Sequence, residues 1–221
     1  MNGGNAFPRL ERVLAVVAHP DDESFGLGAV LDSFVRGGAE VSVLCFTHGE
    51  ASTLHGRPGE LADVRAAELT AAAEVLEITS TTLLNHPDSS LASVDISDLA
   101  TNIADIAARV HPTQLVTFDI GGVTGHPDHV RATEAALDAA AALGIPALGW
   151  AVPEPVAMRL NAEYGTAFTG RRADEIDWTV PVDRSRQIRA IAAHASQSTD
   201  NLVLRQRLHL LGDTEYLRRL A

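Results

Sequence analysis

The chain has 221 residues, 46% of them hydrophobic, which is enough to form a sizeable core for one domain. Its formal charge of −12 argues against a nucleic-acid or anionic-membrane binder, because both favour basic surfaces. All 17 basic residues are Arg, so chemistry that needs a Schiff-base or P-loop Lys is excluded. No apolar run approaches the ~20 residues of a membrane span and nothing resembles a signal peptide, so we expect a cytoplasmic protein.

Strands and helices alternate along the first two thirds of the chain. Short, apolar, β-branched runs predict buried strands at about 13–18, 41–46, 81–84 and 115–118. Apolar residues at helical spacing predict helices at about 23–36, 60–76, 95–110 and 127–143. This alternation predicts an α/β fold, with a Rossmann-like doubly wound, mostly parallel sheet and helices on both faces.

The pattern is less regular beyond the fourth helix. Two further strands are predicted at 147–152 and 178–182, with an irregular, substrate-side insertion between them at about 153–172. From Arg184 onward the sequence is Arg-rich and reads as helical. No repeat or linker separates the two parts. We therefore predict a single domain over 1–221, with a core at about 13–150 and a substrate-side part at about 151–221.

Polar side chains follow each of the four strands of the core. They form clusters at 19–23, 47–50, 86–88 and 119–129. The carboxyl ends of parallel strands meet at one edge of the sheet, which is where such folds bind ligands. Folding alone gains nothing from carboxylates and imidazoles at the edge of a core. A metal or catalytic site at this edge is therefore the leading hypothesis.

Two of these clusters contain metal-ligating residue types at a chelating spacing. His19 and Asp22 lie three apart across a strand-to-helix turn, and His126 and His129 lie three apart at a helix start. His19, Asp22 and one histidine of the second pair supply the three protein ligands of a catalytic zinc, which keeps one position for water. Iron, cobalt or nickel would also suit this set. The alternative is that Asp22 and His126 are helix caps.

The motifs resemble those of the zinc-dependent de-N-acetylase superfamily, which includes N-acetylglucosaminyl-phosphatidylinositol de-N-acetylase and the LmbE-like (PIG-L-type) bacterial enzymes. They are Ala-His-Pro-Asp-Asp-Glu at 18–23, Thr-x-Gly-Glu at 47–50, Arg-x-x-Glu at 65–68 and His-Pro-Asp-His at 126–129. The resemblance covers about 13–143 and is weak beyond Pro153. It implies a zinc hydrolase that removes the acetyl group from an N-acetylglucosamine-type small molecule, releasing acetate and an amine.

The resemblance also implies a role for each side chain of the two histidine motifs. The zinc ligands would be His19, Asp22 and His129. Asp21 would be the general base that takes the proton of the attacking water. A cationic His126 would stabilise the oxyanion and protonate the leaving amine. Asp128 is the candidate partner that fixes the orientation of His126.

Four further residues are candidate substrate contacts, and each has a competing structural interpretation. They are Arg65, Glu50, Asp88 and His194. The competing roles are an ion pair with Glu68 on a solvated helix face for the arginine, loop orientation for Glu50, a loop turn for Asp88 and a structural helix position for His194. Glu23 is expected to support the first helical turn.

The chain departs from the family pattern at one position. Several members have a Tyr immediately before the glycine of the fourth cluster, where this chain has Thr124 followed by Gly125. A tyrosine-assisted step would need Tyr164 or another hydroxyl to reach the site. Thr124 itself would be a weaker hydrogen-bond donor.

Two other functions are disfavoured and two stay open. A dinucleotide-binding reading of Gly26-Leu-Gly28 lacks the third glycine, and three carboxylates would face the pyrophosphate. A serine hydrolase would need a Gly-x-Ser-x-Gly elbow, which is missing. A zinc amidase for a larger amide, such as a thiol conjugate, and a catalytically silent sugar-binding protein stay open. We expect a small amino-sugar glycoside as the partner, with no nucleic acid or membrane, and leave a homo-oligomer open.

Overall fold

The computed structural model describes residues 6–53 and 61–221. Its strands are β1 (Arg12–Val17), β2 (Glu40–Thr47), β3 (Ser80–His86), β4 (Gln114–Phe118), β5 (Ala147–Trp150), β6 (Val152–Pro153), β7 (Gly170–Arg171), β8 (Trp178–Pro181) and β9 (Thr214–Arg219). Its helices are α1 (Asp22–Phe25), α2 (Gly28–Arg36), α3 (Leu61–Val75), α4 (Ile96–Val110), α5 (Pro127–Leu143), α6 (Glu154–Tyr164), α7 (Ser185–Ala193), α8 (Ala195–Ser198) and α9 (Leu202–Leu211). None of these helices has the length and apolarity that a membrane crossing needs.

Seven strands form one sheet in the order β3-β2-β1-β4-β5-β9-β8. The first five are parallel, and β9 runs antiparallel to both β5 and β8. The strand order reverses beside β1, so the loops after β1 and β4 flank the crevice where doubly wound sheets bind ligands. The α/β prediction is confirmed, with a mixed sheet.

Both faces of the sheet are covered, because alternate residues of each central strand point to opposite sides. In β1, Val13, Ala15 and Val17 belong to one apolar cluster, which also holds residues of α2, α3, α6 and α9. Leu14 and Val16 belong to a second apolar cluster, built mainly with α4 and α5. The strands are therefore apolar throughout, which is typical of a parallel sheet between two helical layers.

Two predictions for the C-terminal part are wrong. The segment from Arg184 onward was predicted to be helical throughout. Helix α9 instead ends at Gly212, which has φ 55, and the chain then forms the strand β9. In β9 the residues alternate between the core and the surface, and buried Glu215 accepts hydrogen bonds from Arg184 and Trp150. A carboxylate among arginines obscured the period-2 pattern of a strand.

The insertion predicted as irregular contains the eleven-residue helix α6. A proline near its first turn and Gly165 at its C-cap, with φ 66, are the usual signals of a helix start and end. The first predicted helix is divided into α1 and α2, because Gly26 and Leu27 interrupt it. A Cβ at Gly26 would lie 2.6 Å from a Phe118 ring carbon, so only glycine permits this close approach. Glu60, the predicted start of α3, lies outside the described residues.

Candidate metal centre

The loop after β1 turns its carboxylates back over the end of the strand. Asp22 Oδ2 accepts hydrogen bonds from the backbone N–H groups of Ala18 (3.2 Å) and His19 (2.9 Å). Asp22 is also the first residue of the short helix α1 and is buried. The side chains of His19 and Asp22 therefore lie together at the carboxyl edge of the sheet, as their spacing predicted.

The start of α5 brings two histidines to the same edge. His126 is the N-cap residue, and its Nδ1 accepts a hydrogen bond from the backbone N–H of Asp128 at 3.2 Å. Pro127 occupies the first helical position, where a missing N–H costs nothing. The capping interpretation of His126 is therefore correct. Because only Nδ1 is used in the cap, Nε2 remains available to contact a bound molecule. His129 lies one turn further and packs edge-on against Phe118.

The three predicted metal ligands, His19, Asp22 and His129, converge on one point. His129 Nε2 lies 3.1 Å from His19 Nδ1 and 3.1 Å from Asp22 Oδ1. His19 Nδ1 lies 3.7 Å from Asp22 Oδ2. His126 adds a third imidazole, since His19, His126 and His129 each offer a nitrogen within 4.8 Å of the others. Convergent lone pairs of two imidazoles and a carboxylate fit a divalent transition metal of the zinc type, because one cation can accept all of them.

A second layer of carboxylates surrounds His19. Its Nε2 lies 3.0 Å from Asp88 Oδ1 and 3.4 Å from Asp128 Oδ2. Burial alone would lower the pKa of His19, but Asp128, Asp88 and Asp22 together raise it to about 10. The same negative charge favours a divalent cation at this place. A carboxylate on the far nitrogen is also the usual way to orient a metal-binding histidine.

This arrangement corrects the role predicted for Asp128. Its carboxylate contacts His19 and accepts the backbone N–H of Leu91 at 3.1 Å, whereas only its own backbone N–H reaches His126. The reason is geometric: Asp128 lies in the first turn of α5 and is fully buried against the end of β1. Asp88, predicted as a substrate contact or a loop turn, also accepts the N–H of Ala51 at 2.8 Å.

Asp21 lies beside this cluster and is held by Arg65. Asp21 Oδ2 accepts a hydrogen bond from Arg65 Nη2 at 2.9 Å. Arg65 is buried and also donates to the carbonyl oxygens of Pro20 and Gly49, so it is not on a solvated face and makes no ion pair with Glu68. Burial raises the pKa of Asp21 to about 6 against the opposing charge of Arg65.

The other two predicted substrate contacts have structural partners. Glu50 Oε1 accepts the backbone N–H of Asp88 at 3.0 Å, which is the loop-orienting role. His194 is fully buried, and its Nε2 lies 2.7 Å from Glu23 Oε1. Burial opposes protonation of His194, but the carboxylates of Glu23, Asp21 and Glu68 raise its pKa. His194 lies behind the cluster and does not line the cavity described next.

A cavity of about 400 Å³ opens over the cluster. Its wall includes Gln197, Asn201 and Arg207 from the C-terminal part, none of which sequence reasoning identified. Arg207 stacks on Trp150, with 5.1 Å between the guanidinium carbon and the ring centroid, and donates to the carbonyl oxygen of Phe25. A signal was present, because Leu204, Arg207 and Leu211 share the buried face of α9. A cation on such a face indicates a buried polar partner or a ligand.

Thr124, at the position of the family tyrosine, lines the cavity and also contacts His129, one of the predicted metal ligands. Its Oγ1 lies 2.6 Å from His129 Nδ1 and accepts the backbone N–H of His126. This hydrogen bond leaves the His129 Nε2 lone pair directed at the cluster. Tyr164, the other hydroxyl considered, ends α6 and is not among the residues that line the cavity.

Replacing Thr124 with Val is expected to weaken metal binding about 10–100-fold, because His129 loses the partner that fixes its orientation. A competition titration with a chromophoric chelator measures this. Thr133→Val is the matched control, since its hydroxyl is buried on the helix that carries His129 but donates to the carbonyl oxygen of Phe118. Equal affinities of the two variants would contradict the role of Thr124.

Comparison with known proteins decides the family. The family model described as PIG-L, GlcNAc-PI de-N-acetylase, matches residues 14–140. The chain belongs to this family. A protein of Kineococcus radiotolerans named 1D-myo-inositol 2-acetamido-2-deoxy-alpha-D-glucopyranoside deacetylase is 37% identical, over 86% of this chain and 70% of that protein. A protein of the same name from Tsukamurella paurometabola is 31% identical, over 84% of this chain and 82% of that protein.

Solved structures share the fold of this PIG-L-family chain. The N,N'-diacetylchitobiose deacetylase of Pyrococcus horikoshii superposes with a TM-score of 0.71 at 21% identity, covering 99% of this chain and 87% of that one. The 4-carboxy-2-hydroxymuconate hydratase of Pseudomonas putida superposes with a TM-score of 0.73 at 17% identity, covering 96% and 97%. The fold therefore carries more than one activity, and function has to be argued from the site.

Proposed function

We propose that this chain is a metal-dependent N-deacetylase that hydrolyses the acetamide of a small N-acetylglucosaminyl glycoside. The observation that carries the proposal is the convergence of His19, Asp22 and His129 with the half-buried Asp21 beside them. Two bacterial relatives, 37% and 31% identical to this chain, are named deacetylases of such a glycoside. Zinc suits the nitrogen and oxygen donors best, with iron, cobalt or nickel as alternatives.

The roles of the residues follow from their positions. His19, Asp22 and His129 would hold the metal, which when bound would polarise the acetamide carbonyl and bring the pKa of water near 7. Asp21 accepts the proton of the attacking water, for which a carboxylate with a pKa of about 6 is suited at neutral pH. The C–N bond breaks as Asp21 returns that proton to the nitrogen, so acetate and a free amine leave.

We assign His126 as a neutral donor in this mechanism, in place of the cationic role expected from sequence. Burial lowers the pKa of His126, and the nearby His19 and His129 lower it further. Its Nδ1 accepts a backbone N–H, so the remaining proton is on Nε2. A neutral imidazole N–H can still stabilise the oxyanion of the tetrahedral intermediate. The proton for the amine then comes from Asp21.

The cavity suits a hydroxyl-rich substrate of limited size. Its volume of about 400 Å³ lies within the range of small-molecule sites. Polar side chains such as Ser52, Gln197 and Asn201 line the cavity together with the candidate metal-binding residues. The names of the relatives point to inositol as the aglycone. Neither a nucleic acid nor a membrane surface fits a chain with a charge of −12.

A panel of amides tests the substrate class. Zinc-loaded protein is incubated with N-acetylglucosaminyl-inositol, with N-acetylglucosaminides of other aglycones, and with thiol conjugates that contain a larger amide, and released amine is quantified. We expect amine from the acetamido glycosides and the highest kcat/KM for the inositol glycoside. Preferred cleavage of the larger amide would favour the amidase alternative, and sugar binding without cleavage would favour a silent sugar-binding protein.

The acid side of the pH profile of kcat/KM tests the role of Asp21 as general base, and replacing Arg65 shifts the pKa of Asp21. Asp21 must be ionised, so kcat/KM is expected to fall as pH decreases through a midpoint at or below about 6, because a bound cation further favours the carboxylate. Replacing Arg65 with Met removes the adjacent positive charge, which raises the pKa of Asp21 and moves the midpoint up by about one unit or more. Arg205→Met, an exposed cation on α9, is the control. An unmoved midpoint in Arg65→Met would contradict the assignment.

A further inference from the structure

The backbone of Asp21 is in an unusual conformation. Its φ is 125° and its ψ is −27°, a region that L residues other than glycine seldom occupy. Such a conformation costs free energy and persists only when surrounding contacts impose it. It also decides where the Asp21 carboxylate points relative to Asp22. Contacts that impose this conformation therefore bear on catalysis.

Glu23 supplies one of these contacts. The backbone N–H of Asp21 donates to Glu23 Oε2 at 3.0 Å. Glu23 itself has no exposed surface, and its other oxygen, Oε1, accepts the hydroxyl of Ser24 at 2.5 Å. Both oxygens of the Glu23 carboxylate therefore accept hydrogen bonds from the protein itself. It supports the loop of Asp21 as well as the first turn of α1, the role expected from sequence.

His194 holds the Glu23 carboxylate in place from the other end of the chain. It lies at the break between α7 and α8, and its Nε2 is 2.7 Å from Glu23 Oε1. The ring packs edge-on against Phe25, with 5.8 Å between centroids. Within residues 6–53 and 61–221, Nδ1 has no hydrogen-bond partner, so the ring makes its polar contact with Glu23 alone.

We propose that Glu23 and His194 form a positioning pair for the general base. His194 fixes the Glu23 carboxylate, and Glu23 in turn holds the Asp21 N–H and thereby the left-handed backbone that directs the Asp21 side chain. Neither Glu23 nor His194 lines the cavity, so both act through Asp21. The role of Asp21 rests on the proposed function, whereas the hydrogen bonds and the backbone conformation do not.

A kinetic comparison separates positioning from general stability. Glu23→Ala and His194→Ala are each expected to lower kcat about 10²-fold, the size expected when a reacting group moves by about 1 Å. KM and metal content stay near the wild-type values, because metal ligands and cavity wall are unchanged. His194→Gln keeps a donor for Glu23 and is expected to recover most of kcat.

Glu68→Ala is the matched control. Glu68 anchors the same C-terminal segment by accepting the N–H and hydroxyl of Ser196, at 2.8 and 2.6 Å, but it does not contact Asp21. If the pair were only structural, Glu68→Ala and Glu23→Ala would lower kcat, metal content and melting temperature alike. That result would overturn the proposal. A fall of kcat confined to Glu23 and His194 variants supports it.

A structural measurement keeps the inference separate from the proposed activity. In crystal structures of wild type and Glu23→Met, an unbranched variant of similar length chosen in case the alanine variants do not fold, we compare φ of Asp21. A methionine has no carboxylate oxygen to accept the Asp21 N–H, so we expect Asp21 to leave the left-handed region or to show two conformers. An unchanged Asp21 overturns the positioning pair even if deacetylation is confirmed. If wild type releases no amine while Asp21 does move, the proposed function fails and the pair stands.

Discussion

Replacing Asp21 with Asn is expected to lower kcat about 10³-fold, within the range that a positioned general base contributes. The amide keeps the shape of the side chain but cannot accept the water proton at neutral pH. Metal content should stay at the wild-type value, since Asp21 is not one of the three proposed ligands. Initial rates of amine release, with metal quantified by mass spectrometry in the same samples, measure both quantities.

The control for this variant has to lose a similar buried ion pair. Asp119 is buried and pairs with Arg171 and Arg218, and it does not line the cavity. Asp119→Asn is therefore expected to lower the melting temperature while kcat stays within about twofold of the wild type. Full activity of Asp21→Asn would remove Asp21 from the mechanism, and equal loss of kcat in both variants would assign the effect to stability.

Removing a metal ligand is the second large effect. His129→Ala and Asp22→Asn each leave two of three proposed ligands, so bound metal is expected to fall below one tenth of an equivalent at micromolar zinc. Because polarisation of the carbonyl and activation of water are lost together, kcat/KM should fall at least about 10³-fold. Wild-type protein treated with a chelator should show the same loss and a lower melting temperature, since a ligand of the folded state stabilises it.

His86→Gln is the matched control for the ligand variants. His86 begins the second of the three His-Pro-Asp sequences of the chain, and its Nε2 contacts Asn102 at 2.7 Å rather than the cluster. Metal content and kcat/KM of His86→Gln are expected to equal those of the wild type. Stoichiometric metal in His129→Ala, measured after gel filtration, would contradict the assigned site.

Residues close in sequence could be predicted because local rules determine their geometry. The spacing of His19 and Asp22, and of His126 and His129, already places each pair on one turn, and the parallel sheet brings the two pairs to one edge. The period-2 and helical patterns of the core likewise depend on neighbouring residues. The family resemblance, confirmed by the match over residues 14–140, added the roles of the individual side chains.

Contacts between distant segments could not be predicted in this way. His194 and Glu23 are 171 positions apart, and Asp21 and Arg65 are 44 apart. No period or spacing relates such pairs, so the hydrogen bond from Arg65 to Asp21 could not be predicted. Arg65 also lines the cavity, and its role as a substrate contact stays a prediction. Asp128 was assigned to its near neighbour His126, but the tertiary fold presents it to His19. The division of the chain into a core and a substrate-side part stays a prediction.

Product stoichiometry tests whether the His19–Asp22–His129 cluster carries out metal-dependent deacetylation. Acetate and free amine released from N-acetylglucosaminyl-inositol are measured with zinc-loaded wild type, after chelation, and after zinc is added back. We expect one acetate for each amine, no release after chelation, and recovery in proportion to bound zinc. Undiminished release from protein shown to contain less than one tenth of an equivalent of metal would contradict it.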